Sequence, residues 1–136
     1  MVSRRTVLIV VLVLGSAALF AGGQREPGAL IGPEEAFAMV QAGDGVLVDV
    51  RSEAAYVEGH LQSALSVPLM TVGQRAEWLS ERGRTIIFYC SCPAEETSIA
   101  AAEELIARGV TDVLVLRGGV REWALAGLPL RAGARP

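Results

Sequence analysis

The segment Thr85-Ile86-Ile87-Phe88-Tyr89-Cys90-Ser91-Cys92-Pro93-Ala94-Glu95-Glu96-Thr97-Ser98 decides the reading of this chain. Ile86 to Tyr89 is a short, uninterrupted apolar run, the pattern of a strand buried on both faces. Two thiols follow it directly. A helix starts between Pro93 and Ser98 and runs to about Arg108. Ile99, Ala102, Leu105 and Ile106 lie at helical spacing, and Gly109 is the stop. The thiols therefore sit on a strand–loop–helix turn.

The same alternation extends outward. Pro33-Glu34-Glu35 opens a helix whose apolar side carries Ala36, Phe37 and Val40, and Gly43-Asp44-Gly45 ends it. Val46 to Val50 reads as a buried strand holding Asp49. Glu53 to Glu58 gives one helical turn or two, Val67-Pro68-Leu69 a short extended piece, and Val72 to Arg82 a helix. Val113 to Leu116 is another buried strand. Gly118-Gly119 makes a tight turn into a helix through Val120, Trp123 and Ala124. Short apolar strands alternating with amphipathic helices predict an α/β domain, a parallel sheet covered by helices on both faces. Ligands of such sheets bind beyond the carboxyl ends of the strands, where Cys90 and Cys92 lie.

The amino terminus has a different character. Arg4 and Arg5 precede an uncharged, nearly all-apolar run from Thr6 to Phe20, followed by the small residues Ala21-Gly22-Gly23. This is the order of a secretory signal. Fifteen residues at about 1.5 Å each cover roughly 22 Å, short of a hydrocarbon core of about 30 Å. The expectation is a signal peptide over 1–23, or an uncleaved signal anchor that would be the chain's one link to a membrane. A linker over 24–32, a domain over 33–130 and a flexible tail over 131–136 follow, in an exported protein.

At 136 residues the chain holds one domain. All twelve basic residues are Arg, so lysine Schiff-base chemistry is excluded. Without the leader, ten Arg stand against fifteen acids and no basic run remains, which argues against nucleic-acid binding. Only two Cys exist, both in the loop. A helix amino terminus stabilises a thiolate, or a sulfur carried on it, so Cys90 and Cys92 are the candidate nucleophiles. With His60 they make at most three soft ligands, too few for a closed zinc site, and no cofactor is expected.

These pieces together resemble the rhodanese-like domain family. Leu47-Val48-Asp49-Val50-Arg51 is similar to the family's early Asp-Val-Arg strand end. Tyr56-Val57-Glu58-Gly59-His60-Leu61, with Ala64 and Val67-Pro68, resembles its Gly-His-Ile…Gly-Ala…Ile-Pro stretch. Ile86 to Cys90 resembles the strand leading to the active-site Cys. Leu116-Arg117-Gly118-Gly119-Val120, Trp123 and Gly127-Leu128-Pro129 resemble the closing signature. The resemblance spans about Pro33 to Leu130. It implies a Cys that takes sulfane sulfur as a persulfide from a small donor and hands it on, for instance to a protein thiol. It also implies a cradle formed by Ser91, Ala94, Glu95, Glu96, Thr97 and Ser98. Asp49, Arg51 and His60 become structural supports.

The loop departs from the family pattern, which has a Gly and an Arg soon after the Cys. Here neither is present and two acids stand instead, so thiosulfate would be repelled unless Glu95 and Glu96 point away. Counting from the strand makes Cys90 the catalytic residue; counting back from Gly109 makes it Cys92. The closer strand match favours Cys90 as carrier with Cys92 assisting. A thiol–disulfide redox protein using the pair and a non-catalytic binding module are the competing functions.

Overall fold

The computed structural model describes residues 25–136; the expected signal segment lies outside the described residues. Among them no helix is long and apolar enough to cross a membrane. The elements are β1 (Ala29–Ile31), α1 (Pro33–Gln41), β2 (Gly45–Asp49), α2 (Glu53–Glu58), β3 (His60–Leu61) and β4 (Leu65–Ser66). After two 3-10 turns at Leu69–Thr71 and Gly73–Arg75 come α3 (Ala76–Ser80), β5 (Thr85–Tyr89) and α4 (Glu96–Ala107). β6 (Val113–Leu116), α5 (Gly119–Leu125) and β7 (Leu130–Arg131) complete the chain.

Five strands form a parallel sheet in the order β1-β6-β5-β2-β4, and β3 and β7 pair antiparallel beside it. The strands alternate sides with period two. Val46, Val48, Ile86, Phe88, Val113 and Val115 face α3 and α4, packing on Leu79, Ala101, Ala102 and Leu105. Leu47, Ile87, Tyr89, Leu114 and Leu116 face the other way, onto Ala36, Tyr56 and Trp123 of α1, α2 and α5. Both faces are apolar and covered, which is why the central strands read as continuous hydrophobic runs. The period also puts Cys90, one residue past β5, on the α4 side, while Tyr89 belongs to the opposite layer.

Three local expectations change. Part of the expected linker is strand β1, paired with Leu114 to Leu116 along the sheet edge; three residues between Gly28 and Gly32 carry too little periodicity to be seen. The expected helix over Val72 to Arg82 is α-helical only at Ala76–Ser80. Its first turns are 3-10, and there Gly73 lies beside the Glu104 and Arg108 side chains, where a Cβ would stand 2.5 Å from Glu104 Oε1. Past the domain's expected end, Arg131 pairs with His60 in the β3–β7 ladder and Gly133 N–H donates to Val57 O.

Candidate active site

The carboxyl end of β5, the centre of the sheet, delivers the first thiol. Cys90 is 2% exposed. Its carbonyl accepts a hydrogen bond from Val120 N–H at 3.1 Å, tying the strand end to α5. The second glycine of the Gly118-Gly119 pair allows this approach. A Cβ on Gly119 would stand 2.0 Å from Cys90 O, and its φ is +51°. Sequence alone showed a tight turn there; its partner, 29 positions away, leaves no local signal.

Beyond Cys90 the chain makes an excursion before α4 begins. Ser91, Pro93, Ala94 and Glu96 are exposed, and Cys92 is half-buried. Glu95 N–H donates to Cys92 O at 3.4 Å, and Glu95 itself has φ +55°, a left-handed conformation closing the turn in front of the helix. Its Oε1 accepts from Gly118 N–H at 2.6 Å. A carboxylate that would repel an incoming anion if it faced the thiols is thus bonded to the β6–α5 turn. Glu95 departs here from the role of cradle residue and becomes a strut. Gly118 as its partner was not foreseen.

The excursion turns Cys92 back onto Cys90. Their sulfurs are 2.7 Å apart, and both are free thiols. Cys92 Sγ also hydrogen-bonds with Thr97 Oγ1 at 3.2 Å in the first turn of α4. Ser98 follows, fully buried, its Oγ near enough to Cys90 to favour a thiolate there but without a hydrogen bond of ordinary geometry. Of the expected loop residues, Cys90, Cys92, Thr97 and Ser98 therefore converge, whereas Ser91, Ala94 and Glu96 remain exposed.

The two thiols differ electrostatically. Burial, and then the hydrogen bond with Cys92, push the Cys90 thiol up. Burial opposes ionisation of Cys92 as well, but hydrogen bonds from Cys90 and Thr97 outweigh it and bring that thiol below its ordinary value. Of the pair, Cys92 is the better thiolate and the more accessible, and Cys90 is the proton holder beneath it.

Asp49, Arg51 and His60 form a separate network behind the site. Arg51 donates from its backbone and guanidinium to the buried Asp49 at 2.6 to 3.1 Å, and also to Gly59 O at 2.6 Å. His60 Nδ1 meets Tyr56 O at 2.8 Å and its ring stacks on Tyr56 with centroids 3.7 Å apart. Tyr56 O–H donates to Ala64 O, and Leu61 N–H donates to Tyr89 Oη. Burial, reinforced by Asp49, pushes the Tyr89 phenol far up, so it stays neutral. This lattice fixes the ends of β2 and β5 against α2 and β3. Tyr89, which completes it, reads from sequence only as part of a buried strand, and Tyr56 only as the start of the family-like stretch to Leu61.

Comparisons with known proteins were made against this geometry. Residues 32–126 match the family described as the rhodanese-like domain. The chain is 35% identical over 89 residues to a sulfurtransferase of Allochromatium vinosum, covering 65% of this chain and 80% of that protein. It is 33% identical over 97 residues to an HTH-type transcriptional regulator of Mycobacterium tuberculosis, covering 69% of this chain and 41% of the regulator. The crystal structure of a thiosulfate sulfurtransferase from Pseudomonas aeruginosa superposes with a TM-score of 0.71 at 28% identity, over 79% of this chain and 21% of that one.

Proposed function

Because the chain belongs to the rhodanese-like domain family, we propose that it moves sulfane sulfur through a cysteine persulfide, with Cys92 as the carrier. Sulfur transfer in general is supported by the sulfurtransferase relatives. The observation that carries the choice of residue is the sulfur pair itself. Cys92 is half-buried and hydrogen-bonds with both Cys90 and Thr97, while Cys90 lies beneath it at 2.7 Å, almost wholly covered. This reverses the roles that the strand match suggests.

The Cys92 thiolate attacks the outer sulfur of a donor. A new S–S bond forms, the donor's own sulfur bond breaks, and the leaving group departs with the electron pair. The amino-terminal N–H groups of α4 stabilise the negative charge on the terminal sulfur. The donor class follows from charge. Arg51 is committed to Asp49 and Gly59, Glu96 stands exposed at the helix start, and no Arg lies in the loop. A dianion such as thiosulfate gains little there. A persulfide or polysulfide, with its charge on the sulfur the helix end holds, fits better, and a protein thiol suits as acceptor. The Arg4-Arg5 and apolar leader supports export, so we place the reaction outside the cytoplasm.

Leader-free, reduced protein is incubated with a low-molecular-weight persulfide and followed by intact and peptide mass. A reductant-sensitive gain of one sulfur on Cys92, absent from Cys92→Ser, is expected from Cys90→Ser protein. Protein that takes up no sulfur from any persulfide or polysulfide would overturn the reading. Loss of two hydrogens to a disulfide oxidant, with no sulfur ever retained by either variant, would replace it with thiol–disulfide exchange.

A further inference from the structure

A single thiol suffices to carry a persulfide. The chain nevertheless spends its only other Cys on a position two residues away, and folds the intervening loop so that the sulfurs touch at 2.7 Å. Cys90 is 2% exposed. Its backbone is pinned by Val120 and crowded by Gly119, so the thiol has no route to a bulky external partner. The group within its reach is whatever stands on Cys92. Two further placements matter. Glu95 is bonded to Gly118, leaving no carboxylate hydrogen bond on either sulfur. Ser98 Oγ, buried and unpartnered at the front of α4, is free to donate to a sulfur that becomes anionic.

We propose that Cys90 resolves the Cys92 persulfide inside the same molecule, releasing the transferred sulfur as hydrogen sulfide and leaving a Cys90–Cys92 disulfide. The inference rests on the persulfide reading above and goes beyond it by assigning the fate of the carried sulfur. Cys90 Sγ attacks Cys92 Sγ, the inner sulfur of the persulfide. The Cys90–Cys92 bond forms, and the bond from Cys92 to the outer sulfur breaks. The outer sulfur leaves with the electron pair and takes the proton of the Cys90 thiol. One sulfane sulfur is reduced to sulfide and two thiols are oxidised to one disulfide, so atoms and electrons balance. Holding both thiols in contact makes the step unimolecular, where proximity replaces a second-order collision. Turnover requires a dithiol reductant, which attacks the accessible Cys92 side of the disulfide. The substrate class is therefore a low-molecular-weight persulfide or polysulfide, and the net reaction is its reduction by a dithiol.

The test uses leader-free protein, fully reduced, with one equivalent of glutathione persulfide, whose loading step releases a thiol and no sulfide. Wild type, Cys90→Ser and Cys92→Ser are compared for intact mass, disulfide-linked peptide and free sulfide above a protein-free control. In the wild type, we expect loss of two hydrogens, a Cys90–Cys92 linkage and close to one sulfide per chain. Cys90→Ser is expected to load more slowly and to keep the sulfur on Cys92 with no sulfide released. Cys92→Ser is expected to do neither. A wild type that holds the added sulfur without linkage or sulfide overturns the inference and leaves the carrier reading standing. Uptake of no sulfur by wild type and Cys90→Ser, with no linkage formed, overturns both. The wild-type measurement decides the inference even where a variant fails to fold: an intermediate that carries one glutathione in place of one sulfur overturns it, because the sulfide then comes from attack on the donor's own inner sulfur.

Discussion

Gly119 gives the most quantitative handle on how the sheet delivers Cys90. Replacing it with Ala has two effects that can be separated. The residue has φ +51°, and a left-handed alanine costs about 1–2 kcal/mol. The new Cβ also falls 2.0 Å from Cys90 O, against an ordinary contact beginning at 3.4 Å, so strand end and helix start must part by about 1.4 Å. That separation breaks the Val120-to-Cys90 hydrogen bond, worth about 1 kcal/mol. Together the loss is about 2–3 kcal/mol, which for a domain of this size lowers Tm by roughly 8–12 °C. Gly127→Ala is the control: its φ is +71° and nothing lies within 4 Å, so only the dihedral penalty of about 1–2 kcal/mol applies. Thermal unfolding of both variants, alongside the rate of persulfide uptake by Cys92, measures the difference. Gly119→Ala should lose both stability and uptake, and Gly127→Ala should keep its uptake. A Gly119→Ala protein no less stable than Gly127→Ala would refute the claim that the glycine exists to admit the Cys90 carbonyl.

The remaining predictions concern the thiols and the lattice behind them. Alkylation of Cys92 should show a midpoint below that of an ordinary thiol. Cys90→Ala, by deleting a hydrogen-bond donor to the thiolate, should move that midpoint up and slow alkylation at neutral pH roughly tenfold; an unmoved pH profile would sink the assignment. Asp49→Asn leaves the half-buried Arg51 guanidinium without its counter-charge and should cost about 3 kcal/mol in urea unfolding at pH 7, and a loss below about 1 kcal/mol would show that Gly59 and water suffice. Glu95→Ala should speed hydrogen exchange at the Gly118 amide whereas Glu95→Gln, which keeps an acceptor oxygen, should not; equal rates in both would mean the contact holds nothing in place.

The layers of the fold were legible because their signal is local. Ile86 to Tyr89 and Val113 to Leu116 are apolar on consecutive residues, and only a strand covered on both faces uses such runs. The helix after the loop announced itself by the spacing of Ala102, Leu105 and Ile106. What stayed hidden depends on contacts distant in sequence. β1 exists because β6 offers it an edge. Gly73 leaves room for the Glu104 and Arg108 side chains, a contact about 30 positions away. Glu95 is bonded 23 positions away to Gly118, so a residue that reads as an acid beside the thiol serves as a strut.

The conflict between the two ways of counting the loop resolves in the same physical terms. Counted from the strand, Cys90 holds the position at the end of β5; counted from the helix, Cys92 does. The excursion from Ser91 to the left-handed Glu95 folds Cys92 back over the end of β5, so both thiols reach the same place. The strand end must be buried to meet Gly119 and Val120, which closes Cys90 off from solvent. Cys92 lies in the exposed excursion ahead of the helix cap Glu95, which leaves it half-buried and open to solvent. One backbone solution thus separates two properties that a lone active-site thiol has to combine. On the proposed persulfide reading Cys92 is the thiol that meets the donor, with its pKa brought down by hydrogen bonds, while burial pushes the Cys90 thiol up 2.7 Å away. The loop holds no Arg, so hydrogen bonds with Cys90 and Thr97, not a cation, bring the Cys92 thiol down.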